Sequence, residues 1–368
     1  MPFGEIVCGS PGSGKSTYCH GKHQLFTALQ RPISIVNLDP ANDDLPYPCA
    51  LDIGELIRLE DVMEKYQLGP NGGLVYCMEY LEENFDWLEE GLKELGGDAY
   101  VLFDLPGQVE LSTNHGSIKK VVDMLEKRCG FRLAAVHLCD AHYITDASKY
   151  VSMLLLSLRA MLQLELPHIN VLSKIDLLSQ YGDLDFNLDF YTEVQDLSYL
   201  ENTLVGSLPP RFAALNMAMI SLVEDYSLVG FETLAVEDKT SMLNLSRAID
   251  RATGYVFLPP ETTSGPPGTV NVATNTAQSA RPNTYALFTS AAGPLKGHGS
   301  DVRDVQERWV DEREVYDEYE KEKWKSESGM TPDDLKRKEN GHSLAAKVRR
   351  RTSTKQADSS SAMDTKVG

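Results

Sequence analysis

Nine consecutive residues, Gly9-Ser10-Pro11-Gly12-Ser13-Gly14-Lys15-Ser16-Thr17, have the types and spacing to hold a polyphosphate. They satisfy G-x-x-x-x-G-K-[S/T], and they stand between a short apolar run, Gly4 to Cys8, and an amphipathic stretch, Ser16 to Leu29, as a strand-loop-helix site requires. Gly12 and Gly14 free the backbone to turn its amides inward, and the helix start adds its dipole. Lys15 can then reach the outer phosphates and the Ser16 hydroxyl can bind Mg²⁺, so Gly12, Ser13, Gly14, Lys15, Ser16 and Thr17 form the candidate phosphate site.

Three further segments end predicted strands. Asp104-Leu105-Pro106-Gly107-Gln108 follows the run Tyr100 to Phe103. Asp104 there suits Mg²⁺, the Gly107 amide can sense a terminal phosphate, and Gln108 can orient an attacking water. Asp39-Pro40-Ala41-Asn42 ends the run Ile33 to Leu38. Its carboxylate can reach the metal or polarise water, although turn chemistry alone accounts equally well for Asp-Pro. Ser173-Lys174-Ile175-Asp176 closes the apolar run from His168 to Leu172. An aspartate placed two residues after a lysine suits guanine, since its carboxylate accepts from the ring N1–H and the exocyclic amine while the Lys stem covers the base. Lys174 and Asp176 are therefore candidate base readers, with Ser173 standing where Asn is usual. Gly69-Pro70-Asn71-Gly72-Gly73 precedes an amphipathic stretch at Leu74 and reads as a tight turn. His137 and His142 lack metal-ligand companions and read as core or polar-network residues.

These segments need a scaffold that brings strand ends together. Apolar runs at Gly4 to Cys8, Ile33 to Leu38, Tyr100 to Phe103, Leu133 to Leu138, Ile169 to Leu172 and Val229 to Val236 alternate with helix-length stretches at 16–29, 74–95, 148–164 and 210–226. Alternation of this kind predicts an α/β three-layer fold with a mostly parallel sheet, helices on both faces, and ligands at the carboxyl ends of the strands. The domain is expected over 1–258, followed by a flexible linker rich in Pro, Gly, Ser and Thr at 259–300 and a charged tail at 301–368 with an amphipathic helix over 301–325. That helix carries Val302, Val305, Trp309, Tyr316 and Tyr319 on one face. Solvation is its plain reading, and docking to a partner through Trp309 and Trp324 is the alternative.

The net charge of −19 excludes a basic nucleic-acid binder. Residues 1–258 hold 18 basic and 37 acidic residues against 17 of each beyond, so local amides and a few lysines must hold any phosphate. No apolar run is long enough to span a membrane, and the start has no basic leader. The six cysteines show no CxxC pair or zinc spacing, as expected of reduced thiols in the cytoplasm. The basic run Lys347-Val348-Arg349-Arg350-Arg351 is a candidate nuclear-localisation patch.

With Gly-Pro-Asn joined to this phosphate loop, the sequence resembles the GPN-loop GTPases. The stretches NLDPAND (37–43), LGPNGGLVYCMEYLEENFDWL (68–88), FDLPGQVEL (103–111), HLCDAHYITD, ELPHINVLSKIDLL and FNLDFYTEVQDLSYL carry the likeness, which runs from residue 3 to about 257 and does not extend to the tail. The resemblance implies a P-loop GTPase that binds GTP or GDP with Mg²⁺ and works as a homodimer or as a heterodimer with other GPN-loop GTPases. Within that pattern Gly69, Pro70 and Asn71 reach the partner's nucleotide, while Asp39, Asp104 and Gln108 serve Mg²⁺ and the nucleophilic water in their own chain. It also implies a role with RNA polymerase II subunits or assembly factors, in assembly and nuclear import of the polymerase, with shuttling between cytoplasm and nucleus. A nucleotide-stabilised scaffold with little turnover is the alternative. A small-molecule phosphotransferase built on the same loop is disfavoured by Gln108 and Asp176 and by the lack of an Arg-rich lid.

Overall fold

The computed structural model describes residues 2–255, apart from 43, 97–99, 109, 110, 112, 114, 183, 208 and 209, together with residues 298–327. Contacts divide the chain into two units, Met1–Val310 and Asp311–Gly368. Nearly all of the expected linker at 259–300 and the basic run at 347–351 lie outside the described residues, as does the side chain of Trp324.

Seven parallel strands form one sheet in the order β3-β2-β4-β1-β5-β6-β7, where β1 is Phe3–Gly9, β2 Ser34–Asn37, β3 Leu51–Asp52, β4 Tyr100–Asp104, β5 Arg132–Asp140, β6 His168–Ser173 and β7 Phe231–Leu234. The two-residue β3 was not legible in the sequence. Parallel strands need crossovers and are covered on both faces, which explains runs that are apolar throughout. Successive residues still alternate: Ile6 and Cys8 of β1 enter one core cluster with Phe103 and Leu133, while Val7 enters another with Leu102 and Val136. The first cluster is roofed by α2 (Leu59–Tyr66), α3 (Pro70–Glu83), α4 (Phe85–Glu94) and α5 (Ser117–Lys127), and the opposite face by α1 (Lys15–Ala28) and α10 (Lys239–Thr253). A third cluster joins α6 (Ala147–Leu164) to α7 (Leu188–Glu193), α8 (Leu200–Ser207) and α9 (Ala213–Tyr226).

A pair of opposite charges, Glu5 and Lys22, is sealed into the apolar interior. Glu5 of β1 is fully buried and accepts hydrogen bonds from Lys22, from Tyr100 and, at 2.8 Å, from the Tyr18 hydroxyl. Burial lowers the pKa of Lys22, and Glu5 opposes that shift. Such a group survives in a core only when every charge is met by a partner.

Two expectations change. The stretch expected as one helix from Leu74 to Leu95 is two helices hinged at Asn84. Pro70, Asn71, Gly72 and Gly73 are not a turn before a helix: they are its first turn, with Gly69 as N-cap and Pro70 at the first helical position. Proline is favoured there because its fixed φ suits the helix and its missing N–H would have had no partner.

The amphipathic tail segment begins at His298 and is interrupted. Helix α11 (His298–Gln306) runs into a π-helical turn, Glu307–Asp311, and α12 (Arg313–Glu327) follows in the second unit. Helix α11 is not merely solvated. Val302 is buried in the third cluster, with Val305, Trp309 and Val310 packed against it. The Gln306 side chain accepts from the Leu188 amide at 3.0 Å, so this stretch covers α7 of its own chain.

Candidate nucleotide and magnesium site

Parallel register brings the ends of β1, β4, β5 and β6 to one edge, since Val7 pairs with Asp104, Cys8 with His137 and Asp140 with Ser173. The chain leaves β1 at Gly9 and re-enters helix at Lys15, with Gly14 as N-cap at φ +94°. That left-handed conformation is why a glycine stands there. Lys15 is buried, and its Nζ lies 3.3 Å from the Gly9 carbonyl and 3.4 Å from that of Ser10, folded over the loop. Thr17 follows Ser16 in the first turn of α1. The Ser13 hydroxyl is buried and without a hydrogen-bond partner among the described residues.

Asp104 is 1% exposed at the end of β4. Its Oδ2 accepts from the Ser16 hydroxyl at 3.0 Å and from the Tyr47 hydroxyl at 2.7 Å. Its Oδ1 is buried without a partner among the described residues. Burial raises the carboxyl pKa, against the pull of Tyr47, Ser16 and Lys15. Asn42 Nδ2 lies 3.4 Å from the Ser16 hydroxyl. Asp39 is half-buried and its Oδ1 accepts from the Ala41 amide at 3.0 Å. Burial raises its pKa too, opposed by bonds from the Ala41 and Gly107 amides and by Lys15. The Asp39 turn is wired by Asn37, which accepts from the Asp39 amide at 3.1 Å and donates to Asp52 at 2.8 Å.

Gly107 is close-packed on the phosphate loop: a Cβ there would stand 2.9 Å from Lys15 Nζ and 3.3 Å from Pro11 Cα. The next residue, Gln108, donates from Nε2 to Asn71 Oδ1 at 2.7 Å within the same chain. Gly69, Pro70 and Asn71 are exposed. The family resemblance implies Asn71 at the partner's nucleotide and Gln108 at its own, whereas within one chain the two are in direct contact.

At the end of β6, Ser173 is buried and its hydroxyl lies 2.7 Å from the Ser13 carbonyl and 3.1 Å from that of Cys139. The residue that departs from the usual Asn thus ties the base-reading segment to the phosphate loop. Lys174 takes φ +61°, and its Nζ meets Asp140 Oδ2 at 2.7 Å. Its Cε would lie 4.0 Å from a Cβ on Gly14, so the stem lies along the phosphate loop. Asp176 is half-buried in the 3₁₀ turn that follows, Ile175–Leu177. His137 is buried and bonded to Asn170 at 3.2 Å, while His142 lies at hydrogen-bond distance, 3.2 Å, from Lys149, so both belong to polar networks. Among the described residues no group of three or more His, Cys, Asp or Glu side chains could by itself hold a metal ion.

Tyr47, Asn37 and Asn42 were missed by sequence reasoning. Only the placement of Tyr47 between Pro46 and Pro48 marks it locally, and its contact with Asp104 spans 57 residues. The donor set fits Mg²⁺, which takes one or two protein oxygens beside substrate phosphates: a serine hydroxyl and a carboxylate meet here, and one carboxylate oxygen is orphaned. All six cysteines are free, and no helix among the described residues is long and apolar enough to cross a membrane.

Residues 7–255 match the family model described as a conserved hypothetical ATP binding protein. The chain is 58% identical to GPN-loop GTPase QQT1 of Arabidopsis thaliana over 260 residues, covering 70% of this chain and 87% of that protein. It is 47% identical to GPN-loop GTPase 2 of Schizosaccharomyces pombe over 339 residues, covering 91% and 98%, and 46% identical to that of Saccharomyces cerevisiae over 329 residues, covering 88% of each. Alignments of that length run past residue 258, so the likeness extends into the tail, contrary to expectation. An apo-form GTPase from Pyrococcus abyssi shares the fold at a TM-score of 0.56 and 23% identity, over 68% of this chain and 97% of that one. Phosphate loop, Gly-Pro-Asn segment and whole-length relatives agree, and the chain belongs to the GPN-loop GTPase family.

Proposed function

We propose that this protein binds GTP with Mg²⁺ and hydrolyses it to GDP and phosphate. The observation that supports the reading most is the meeting of the Ser16 hydroxyl with Asp104 beside the buried Lys15. Its helix-start amides and Lys15 hold the phosphates of the substrate, and Ser16 and Asp104, with Asp39 near them, hold Mg²⁺. When bound, the metal neutralises charge that develops on the phosphate oxygens. The guanine choice rests on Lys174 and Asp176 at the end of β6, since adenine offers no paired donors to a carboxylate. Water attacks the terminal phosphorus as the bond to the bridging oxygen breaks, and Gln108 orients that water.

The family resemblance carries the proposal further, to a homodimer or a heterodimer with other GPN-loop GTPases. The exposed Asn71 supports it: a side chain bonded to Gln108 in its own chain is free to exchange that bond for a partner's nucleotide. The same resemblance supports action on RNA polymerase II subunits or assembly factors, in polymerase assembly and nuclear import, from the cytoplasm with passage to the nucleus. The Asn71–Gln108 bond also favours a second reading, a nucleotide-stabilised scaffold, because a Gln so engaged does not orient water, and turnover by an isolated chain is then slow. Asp104→Ala tests the site: GTP binding stays measurable while single-turnover hydrolysis falls at least about a hundredfold. Hydrolysis at the parent rate would show that the site is placed wrongly.

A further inference from the structure

Nothing in the chemistry of a magnesium-nucleotide site calls for a phenol, yet one is built into this one. We propose that Tyr47 is a positioning residue: its hydroxyl commits one oxygen of Asp104, leaves the other for magnesium or its water, and makes the Asp39–Cys49 loop responsive to the bound metal. The inference rests on the magnesium-nucleotide reading above.

A carboxylate oxygen accepts about two hydrogen bonds in its plane. Oδ2 of Asp104 already takes two, from Ser16 at 3.0 Å and from Tyr47 at 2.7 Å, whereas Oδ1, equally buried, takes none from the described residues. The carboxylate is therefore oriented, with one oxygen satisfied by protein and one left for a ligand. A buried acceptor without a partner is costly, and that cost is removed when a ligand meets it. Ser16 alone would not fix the orientation, because its hydroxyl can follow a rotating carboxylate, whereas the phenol cannot. Tyr47 is 4% exposed, packed in the cluster that holds Phe26, Ile35 and Leu102, and flanked by two prolines that fix their own φ.

Asp39, Asn42 and Tyr47 lie on one connection between β2 and β3, and two of them touch the Ser16–Asp104 pair directly. Any change in where that pair is held is felt by the loop through bonds of 2.7 and 3.4 Å. A residue with only a packing role would lose nothing when tyrosine becomes phenylalanine, since the ring is unchanged.

The test uses the full chain and an N-methylanthraniloyl guanosine diphosphate, whose affinity is measured with magnesium and with excess EDTA. Tyr47→Phe should lose about tenfold of the magnesium-dependent tightening, in keeping with one hydrogen bond to a charged group, while affinity in EDTA stays within about twofold. Equal weakening in both conditions, or an unchanged magnesium effect, would overturn the proposal. In an Asp104→Asn background the same substitution should add no further magnesium-specific loss, and a further tenfold loss there would also overturn it. On the unsubstituted chain, adding magnesium to the nucleotide-bound protein should slow amide hydrogen exchange over 39–49, and unchanged exchange would refute the coupling. Failure of the parent chain to bind the probe at all would sink the functional reading, whereas normal magnesium-dependent binding with an indifferent Tyr47→Phe would sink only this inference.

Discussion

Removing the Ser173 hydroxyl tests whether the residue that departs from the usual Asn is a strut of the phosphate loop. The hydroxyl is 2.7 Å from the Ser13 carbonyl in a site 2% exposed, so Ser173→Ala removes a buried hydrogen bond to the phosphate loop. The cost of such a loss is about 1–3 kcal/mol. For a folded unit of this size each kcal/mol lowers the melting temperature by roughly 2–4 °C, so a fall of about 2–12 °C is expected. Because Ser13 belongs to the loop whose amides face the phosphates, part of that free energy is also lost on binding, which weakens GDP by about three- to tenfold. Thermal melts with and without GDP, together with titration of a fluorescent guanine nucleotide, read both effects. Ser173→Cys, nearly isosteric with a weak donor, should fall between parent and alanine. A melting temperature within about 1 °C of the parent and an unchanged affinity would refute the strut.

Gln108→Leu should lower single-turnover hydrolysis by at least about a hundredfold while leaving GTP affinity within a few-fold, because its role is with the water. Val302→Asp places a charge in the third core cluster and should release α11, seen as faster amide exchange over 298–310 and over α7; unchanged protection there would show that the helix does not dock. Acid should also destabilise the fold. Burial holds His137 at about 4, and burial with the nearby His137 holds His168 at about 3, both below the ordinary 6.5. The unfolded chain takes these protons first, so the stability is whole above about pH 6.5 and declines by a few kcal/mol as pH falls toward 4. The raised carboxyls of Asp39 and Asp104 act oppositely, gaining protons first in the folded chain. Denaturant midpoints should fall with pH in the parent and fall less steeply in His168→Gln, and parallel slopes would count against this assignment.

How much was legible in advance follows the range of each interaction. The phosphate loop is contiguous, and its strand and helix could be read within a residue because local propensity, glycine placement and hydrophobic run agree. The parallel sheet was legible because strands buried on both faces have no polar alternation. The first turn of α3 was misread, since Gly-Pro-Asn-Gly-Gly has turn chemistry and only the packing of Leu74, Cys77 and Met78 onto the core settles it as helix. Tyr47 could not be found, because its partner is 57 residues away and the flanking prolines mark a rigid loop without naming that partner. The docking of α11 was hidden likewise: its apolar face was visible, but the surface that receives it is created by α7 far upstream.

The family model's description mentions ATP, whereas Asp176 and the named relatives speak for guanine, so nucleotide choice is the central claim to measure. The most direct measurement is single-turnover hydrolysis of GTP and of ATP by the purified chain over a wide range of protein concentration. Hydrolysis of GTP and not ATP is expected, at a rate per site that climbs with concentration as Asn71 exchanges its Gln108 bond for a partner's nucleotide. Equal use of ATP would contradict the role of Lys174 and Asp176, and a flat, negligible GTP rate at every concentration would contradict a self-assembled hydrolytic site.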